Sequence, residues 1–452
     1  MIAEPFRDRK FRHELFPGSP ALVALSEETI AVVLQHEAAN ALRRRKRRTA
    51  DLEAFRNAVA VIVANLAHVI AFPGSDTGAV ILPLGHPRGH RADHLPGFRE
   101  SLKATVEALE AVGVLSIVWP DIPSHATALR PTEAFRREVH ARDIGAPSDF
   151  LRRLVLDPVC LTRKDTFKRR EELTVPAGVE ADTIRAEVRV FNAWLARADI
   201  DYDGPDMIDT DDRLLRRRFN LPPRVEDPCL RYGGRLFGGF WQTMKRSLRG
   251  HIRIDGEPIA ELDYGQILPR LAYASVGAEP PPGDLYDLDL PGPSDVQRCV
   301  LKKAFNTLLF SARRLRAWPL EIADALPDLG PDNPVSVARF RRALLRRHPA
   351  LRPVLENGVG HALMHMESRV LCGVLRECTD KGIVVLPIHD AVLCPVSAVP
   401  AVKTIMETQA LLVCGCSIPV EAKPLSGADL RPSSSVLSPM NTTGHPDLLS
   451  AA

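Results

Sequence analysis

The sequence predicts an α/β protein whose N-terminal region is mainly helical. The 452 residues comprise 45% apolar and 25% charged side chains, a balance typical of a globular protein with a substantial core. Residues 1–72 carry apolar side chains at helical spacing, whereas strand and helix patterns alternate from residue 231 to about residue 423. These observations predict a helical module followed by a mixed α/β core.

We divide the chain into four segments. Residues 1–140 form a helical module, in which a helix, Gly113 and a strand resemble part of a winged helix, although a generic small α/β module is favoured. Residues 141–230 are charged and are predicted to be helical. Residues 231–423 form the α/β core. Residues 424–452, rich in Ser, Pro and Thr, are predicted to be a disordered tail.

Composition and cysteine spacing predict a reduced, cytoplasmic protein. The eight cysteines have neither the density of a disulfide scaffold nor the spacing of a zinc site. The most apolar stretch, Ala58–Phe72, is too short to span a bilayer and contains Asn65 and His68, so it predicts a buried helix. We therefore expect no membrane partner.

The net charge of +3 excludes a uniformly basic nucleic-acid coat protein. Basic residues are nevertheless concentrated in three runs, Arg43–Arg48, Arg216–Arg218 and Arg341–Arg347. Each run is compatible with phosphate contacts or with a solvated helix face, and the sequence does not separate the two.

A first candidate site lies at Asp263. Apolar residues flank a turn at Asp255–Pro258, which predicts a hairpin that places Asp263 at the end of its second strand. The chain is then predicted to become helical after Pro269. Proline is compatible with this start, since it is tolerated in a first helical turn. A carboxylate between a strand end and a helix start is suited to hold a metal ion over a phosphate, although many strands end in aspartate.

A second candidate site is the predicted helix around residues 298–310. Arg298, Lys302, Asn306 and Phe310 recur every four residues and therefore follow one broad face. Two cations and an aromatic ring on that face would suit a triphosphate and a stacked base. The alternative is an ordinary amphipathic helix with a basic flank.

A third candidate site is the pair His389–Asp390. It interrupts an apolar stretch and predicts two strands joined by a tight turn. A charge in such surroundings is costly unless it is paired or binds a metal ion. A turn that simply favours aspartate is one alternative. Another is a metal-dependent phosphohydrolase, but the further His and Asp ligands of that class are missing at suitable spacing.

In order, these segments resemble three motifs of family A DNA polymerases and of the related single-subunit phage and mitochondrial RNA polymerases. Residues 262–272, LDYGQILPRLA, resemble the first motif, and PIHDAVL at 387–393 resembles the third. Residues 298–310 resemble the second, in a form closer to the RNA polymerases. GGRLFGGFWQ at 233–242 is similar to the segment that contacts primer-template in that family. The resemblance covers roughly residues 230–423.

The resemblance implies a right-hand polymerase, with an antiparallel-sheet palm and helical fingers in residues 231–423 and a thumb-like region in 141–230. It implies a DNA-dependent DNA polymerase without proofreading, since no exonuclease domain is recognisable. The alternatives are a single-subunit RNA polymerase or primase, and a catalytically inactive DNA-binding replication or mobile-element protein. The expected partners are primer-template nucleic acid, most simply DNA, and nucleoside triphosphates.

The resemblance also implies roles for individual residues. The catalytic carboxylates would be Asp263 and Asp390, which together with the Tyr264 carbonyl would bind two Mg²⁺ ions. The expected nucleotide contacts are Arg298, Lys302, Phe310, Gln266 and Leu268. The expected DNA contacts are Arg235, Gln242, Glu367 and His389.

Several positions depart from the family pattern. Leu268 replaces the glutamate that blocks a ribose 2′-hydroxyl, Phe310 replaces its tyrosine partner, Ala391 replaces a carboxylate and Ser311 replaces a glycine. A 2′-hydroxyl pressed against Leu268 would lose water without gaining a partner, at a cost of roughly 1–3 kcal/mol. We therefore expect a preference for dNTPs with measurable incorporation of rNTPs.

Overall fold

The computed structural model describes residues 9–43, 45–73, 78–82, 98–119, 127–153, 157–164, 170–288, 290, 294–323, 335–423 and 425. The protein is a mixed α/β structure in which most neighbouring strands are antiparallel, so the predicted α/β class is confirmed. Apart from Leu425, the tail predicted to be disordered lies outside the described residues.

The N-terminal module contains a small sheet in addition to the predicted helices. Its elements are β1 (Arg9–Lys10), β2 (Leu15–Pro17), α1 (Pro20–Ala39), α2 (Thr49–Ala71), β3 (Val80–Leu82), α3 (Phe98–Ala111), β4 (Leu115–Val118), β5 (Thr127–Pro131), α4 (Glu133–Ala141) and β6 (Phe150–Arg152). One sheet has the order β1-β3-β5-β4, and β2 pairs with β6. Because β6 returns to β2, the module extends beyond the expected boundary at residue 140. The winged-helix interpretation stays a prediction.

Helix α2 confirms the predicted buried helix. Within the described residues it is the one helix long and apolar enough to cross a bilayer, but 72% of its most apolar window is buried inside the protein. Its polar side chains have partners: Asn65 exchanges two hydrogen bonds of 2.8 Å with the backbone of Arg12, and His68 bonds to Asp209 at 2.7 Å. These contacts explain how two polar residues are accommodated in a core helix.

Residues 141–230 are not mainly helical, contrary to the prediction. After β6 come β7 (Val159–Lys164), β8 (Arg170–Leu173), α5 (Val179–Arg197), β9 (Ile200–Tyr202) and β10 (Leu215–Leu221), followed by β11 (Gly233–Gly238). Four of these strands form a sheet of order β11-β10-β7-β8. The seven positions of β10 alternate strictly between buried and half-buried, a period of two that its run of arginines obscures in the sequence.

The core region contains the remaining elements. They are α6 (Phe240–Thr243), β12 (Ile252–Ile254), β13 (Glu257–Tyr264), α7 (Ile267–Ser275), α8 (Ser294–Phe310), α9 (Leu320–Ala323), α10 (Val337–Arg347), α11 (Gly360–Asp380), β14 (Leu386–Ile388), β15 (Ala391–Pro395), α12 (Val399–Cys414) and β16 (Val420–Lys423). A six-stranded sheet contains five strands in the order β14-β15-β13-β12-β9. Its sixth strand, β16, pairs with the edge of β13 opposite β15.

Three elements predicted around the candidate sites are confirmed. The β12–β13 hairpin turns at Asp255 and Gly256, whose φ values of 52° and 73° lie in the left-handed region that a two-residue turn requires. The β14–β15 hairpin turns at His389–Asp390. Helix α8 (Ser294–Phe310) confirms the predicted helix, although it begins before Arg298 and ends before Ala312, the last residue of the predicted segment. Helix α7 begins at Ile267, slightly before the predicted start.

The hydrophobic cores revise the predicted domain boundaries. One core contains residues between Phe11 and Phe150, and a small one lies between Val159 and Leu230. The main core includes residues from Val188 to Val420 and therefore takes in α5 and β9. The expected boundary at residue 230/231 does not separate two independent units, because parts of the segment before it complete the core that carries the candidate site.

Candidate active site

The sheet brings Asp263 next to Asp390. Strand β13 pairs with β15 so that Asp263 lies opposite Ala391, and the Tyr264 amide donates to the Asp390 carbonyl at 3.4 Å. Side chains alternate along β13. Tyr264 is buried and its hydroxyl donates to the Met406 carbonyl of α12 at 2.6 Å, so Asp263 projects from the opposite face of the sheet. Two motifs separated by more than 100 residues thus meet through one strand pairing.

Asp263 experiences competing electrostatic effects. Burial and then the charge of Asp390 raise its pKa, whereas an ion pair with Lys423 and the charge of Lys302 act in the opposite direction. The net pKa of Asp263 is raised. A carboxylate whose ionised form is disfavoured by burial and by a second negative charge would gain from a bound cation.

The carboxylates of Asp263 and Asp390 are oxygen donors of the kind that Mg²⁺ takes in proteins. Within the described ranges there is no group of three or more His, Cys, Asp or Glu side chains suited to hold a metal ion. Asp263 and Asp390 would therefore have to share their ions with backbone carbonyls, water and substrate phosphates, as Mg²⁺ commonly does. Since the Tyr264 side chain is bonded to α12, only its backbone remains for the predicted metal contact.

Helix α8 brings one predicted phosphate-binding residue near the carboxylates. Lys302 is exposed and near enough to Asp263 to lower the pKa of that carboxyl group. Arg298 instead pairs with Asp284, and this hydrogen bond is the main reason that the pKa of Arg298 is raised. Gln266 positions Asp284 by donating to it at 2.9 Å, so Gln266 acts here through the loop that holds Arg298.

Tyr286 is a candidate site residue that the sequence did not reveal. Its ring lies 5.4 Å from the Arg298 guanidinium and is almost fully buried. Burial raises the pKa of Tyr286, and the charges of Asp390 and Asp263 raise it further. Tyr286 therefore places a buried ring beside the Arg298 guanidinium. No local motif marks it, because its position depends on the fold of the loop before α8.

Leu268 and Phe310, the two residues expected to lie against the sugar of the nucleotide, are in apolar surroundings. Leu268 is buried in the main core, and Phe310 is partly buried against that core. The Phe310 ring makes an edge contact with His361 at 5.2 Å, and a Cβ added at Gly360 would lie 2.4 Å from Phe310 Cγ. The lack of a side chain at Gly360 therefore leaves room for the Phe310 ring. The expected sugar preference stays a prediction.

Two of the predicted DNA contacts bind each other. Arg235 donates to both oxygens of Glu367, at 2.6 and 2.7 Å. Glu367 is 1% exposed, so it faces Arg235 in the interior. Burial raises the pKa of Glu367, while Arg235 opposes that shift. Gly234, at φ 88°, permits the approach of β11 to α11, because an added Cβ would lie 2.8 Å from Ser368 Oγ. Glu367 is best described as the residue that positions Arg235.

The other two predicted DNA contacts surround the β14–β15 turn. Gln242 donates to the Pro387 carbonyl at 2.8 Å, as does the Trp241 ring nitrogen at 2.9 Å. His389 has a left-handed φ of 56° and lies edge-on to Phe237. Burial lowers the pKa of His389, and the nearby charge of Arg235 lowers it further. Gln242 thereby supports the turn that carries Asp390, and the DNA contact of His389 stays a prediction.

The Arg216–Arg218 run is largely engaged within the protein. Arg217 is buried and bonds to Glu187 and the Gly234 carbonyl at 2.8 and 3.0 Å. Arg216 pairs with Glu14, and the Arg218 guanidinium lies over Phe237. This run connects β10 to α5, to the neighbouring strand β11 and to the N-terminal module, an arrangement different from both interpretations of the sequence.

Sequence reasoning also missed Lys423, the ion-pair partner of Asp263. Lys423 lies on β16, at the end of the α/β core, and reaches the site only because β16 pairs with β13. An alternating Glu421-Ala422-Lys423 pattern marks a half-exposed strand, but not the strand to which it pairs. The pairing of β16 with β13 joins segments distant in sequence, and no local sequence pattern indicates it.

No protein-family model matches the chain, and no curated protein matches its sequence.

Proposed function

We propose that the chain is a template-directed nucleotidyltransferase with a right-hand polymerase core, and specifically a DNA-dependent DNA polymerase without proofreading. The observation that carries the proposal is the adjacency of Asp263, at the end of β13, and Asp390, in the turn before the paired strand β15, with Lys302 of α8 nearby. Paired carboxylates and a cation suit a reaction in which a phosphate ester gains charge in its transition state.

In this proposal, Asp263 and Asp390 would hold two Mg²⁺ ions, which when bound supply a more acidic primer 3′-hydroxyl and stabilise the leaving pyrophosphate. Lys302 binds the triphosphate, and Arg298 joins it by exchanging Asp284 for a phosphate. Phe310 lies against the nascent base pair. Arg235 contacts the primer-template while its ion pair with Glu367 fixes its orientation.

A single-subunit RNA polymerase or primase is a second candidate. The Lys302-Lys303 and Asn306-Thr307 pairs of α8 favour it, because they resemble the RNA polymerase form of that motif. An inactive DNA-binding protein is the third. Against it stands the presence of two partly buried carboxylates close enough for the charge of Asp390 to raise the pKa of Asp263, an arrangement that is concentrated at functional sites.

A primer-extension assay with Mg²⁺ separates these candidates. Purified protein is given DNA or RNA templates, with and without a primer, and either dNTPs or rNTPs. Primer-dependent extension with dNTPs on DNA supports the first proposal. Equal or better use of rNTPs favours an RNA polymerase or primase. If no condition gives a product while DNA binding persists, the chain is a binding protein.

A further inference from the structure

Four charged side chains share one face of the sheet at the carboxylate site. In the β13–β16 pairing, Asp263 lies opposite Glu421 and Glu261 lies opposite Lys423. Directly opposed residues of an antiparallel pair point to the same face. Lys423 is therefore the one cation among these four side chains, and the other three are carboxylates.

Lys423 bonds to its diagonal neighbour rather than to the carboxylate directly opposite. Its ammonium pairs with Asp263 Oδ2, whereas Glu261 accepts from Arg246 at 3.3 Å. With the Lys423 ammonium in place, the Asp263 side chain is only 14% exposed. A long, flexible lysine side chain can form this diagonal contact and also leave it.

We propose that Lys423 competes with a divalent cation for Asp263, so that the ion on this side of the carboxylate pair binds tightly only after the ammonium has been drawn away. This inference rests on the proposed function. An incoming triphosphate is the agent that draws it away, because Lys423 is 37% exposed and can transfer its ammonium from a carboxylate to a phosphate. The carboxylate pair is thereby kept from full metal loading until a nucleotide is present.

The competition is testable by metal binding without catalysis. Mn²⁺ serves as the probe, and its free concentration is followed by electron paramagnetic resonance during titration of the full chain without nucleotide. Lys423→Gln should bind Mn²⁺ on the order of tenfold more tightly than the unmutated protein, because the competing charge is gone. Lys423→Arg keeps the charge and should stay close to the unmutated protein. Lys403→Gln, which removes an exposed lysine of α12, should have no effect.

Two further titrations complete the test. A non-hydrolysable dNTP should tighten Mn²⁺ binding more for the unmutated protein than for Lys423→Gln and so reduce the difference between them. In an Asp263→Asn background, Lys423→Gln should no longer tighten binding. Equal Mn²⁺ affinity of the unmutated protein and Lys423→Gln overturns the inference.

The same proteins distinguish this inference from the proposed function. If the unmutated chain extends primers, but Lys423→Gln and the unmutated chain bind Mn²⁺ equally tightly, only the proposed role of Lys423 is wrong. If the chain does not extend primers and Asp263→Asn and Asp390→Asn leave Mn²⁺ binding unchanged, both proposals are wrong.

Discussion

Charged residues around Asp263 and Asp390 have partners within the protein. Asp263 pairs with Lys423, Arg298 with Asp284 and Arg235 with Glu367. Pairing offsets the cost of holding charges in partly buried surroundings. Within the described residues Lys302 forms no ion pair, so in the proposed function it would bind a triphosphate without an exchange of partners.

Lys302→Ala should raise the KM for dNTP and lower kcat, because its charge acts on both the bound nucleotide and the transition state. The loss should be about 10²–10³-fold in kcat/KM, the range expected for removal of a preorganised charge contact. Affinity for DNA without nucleotide should stay unchanged. Single-turnover incorporation and DNA binding are the measurements.

Lys303→Ala is the matched control, since Lys303 is equally exposed on the next position of α8. It should retain near-normal kcat/KM. Loss of DNA binding by Lys302→Ala with unchanged nucleotide affinity would assign this face of α8 to the template.

At the scale of elements, contact between α8 and α11 determines where the Phe310 ring lies. Phe310 ends α8, and Gly360 begins α11 directly beneath the ring. The close approach leaves no room for a side chain at Gly360. The close approach of the two helices at this point therefore requires glycine at position 360.

Gly360→Ala should destabilise the protein by about 1–3 kcal/mol, because an added methyl group must displace the Phe310 ring. In a Phe310→Ala background the same substitution should cost much less, since the ring is gone. Denaturant unfolding of the two single variants and the double variant measures this coupling. Additive changes would show that Phe310 does not occupy the position assigned to it.

Local signals explain which elements were predictable. The β12–β13 turn requires left-handed residues, and Asp255-Gly256 supplies them; α8 carries an uninterrupted helical pattern. The strands β8 and β10 were missed because their arginines and glutamates suggested a charged helix. Asp263 and Asp390 were identifiable from short motifs and the ends of their strands. Their neighbours Tyr286 and Lys423 were not, since each arrives through a contact distant in sequence.

At the scale of the whole molecule, buried polar contacts join the N-terminal module to the core. Asp209 pairs with His68 of α2 and with Arg152 of β6, and Arg12 pairs with Asp212. Burial alone would raise the pKa of Asp209, but the hydrogen bond from His68 and the charge of Arg152 hold it below its usual value. Asp209 thereby contributes stability in its ionised form.

Asp209→Asn should destabilise the protein by about 3–5 kcal/mol at neutral pH, because the buried charge of Arg152 would keep only its longer contact with Asp212, at 3.9 Å. The contribution of a carboxyl group with a lowered pKa is present above its unfolded pKa, about 3.9, and is lost as the pH falls through its folded pKa. The difference in thermal stability should therefore shrink below about pH 4. Asp211→Asn, at an exposed neighbour, should have little effect at any pH. A destabilisation independent of pH would exclude an ionic role for Asp209.

The N-terminal basic run gives a second prediction at this scale. Arg47 is engaged with Glu37 and Phe55, but Arg45 and Lys46 are exposed. Replacing both exposed residues with glutamine should weaken DNA binding. The slope of log binding constant against log salt concentration should become shallower by about 0.9 for each phosphate that the protein no longer neutralises. Lys381→Gln/Lys403→Gln, the charge-matched control, should leave the slope intact. An unchanged slope for the N-terminal variant would identify the run as a solvated surface.

The central claim is that Asp263 and Asp390 form one catalytic site, and its most direct test is Mg²⁺-dependent primer extension by Asp263→Asn and Asp390→Asn. Loss of either carboxylate should remove nearly all incorporation, since it costs several kcal/mol of transition-state stabilisation. Thermal unfolding and circular dichroism should show that both variants remain folded. Asp255→Asn, in the exposed β12–β13 turn where asparagine also tolerates a left-handed φ, should extend primers normally. Near-normal extension by either Asp263→Asn or Asp390→Asn would contradict the account.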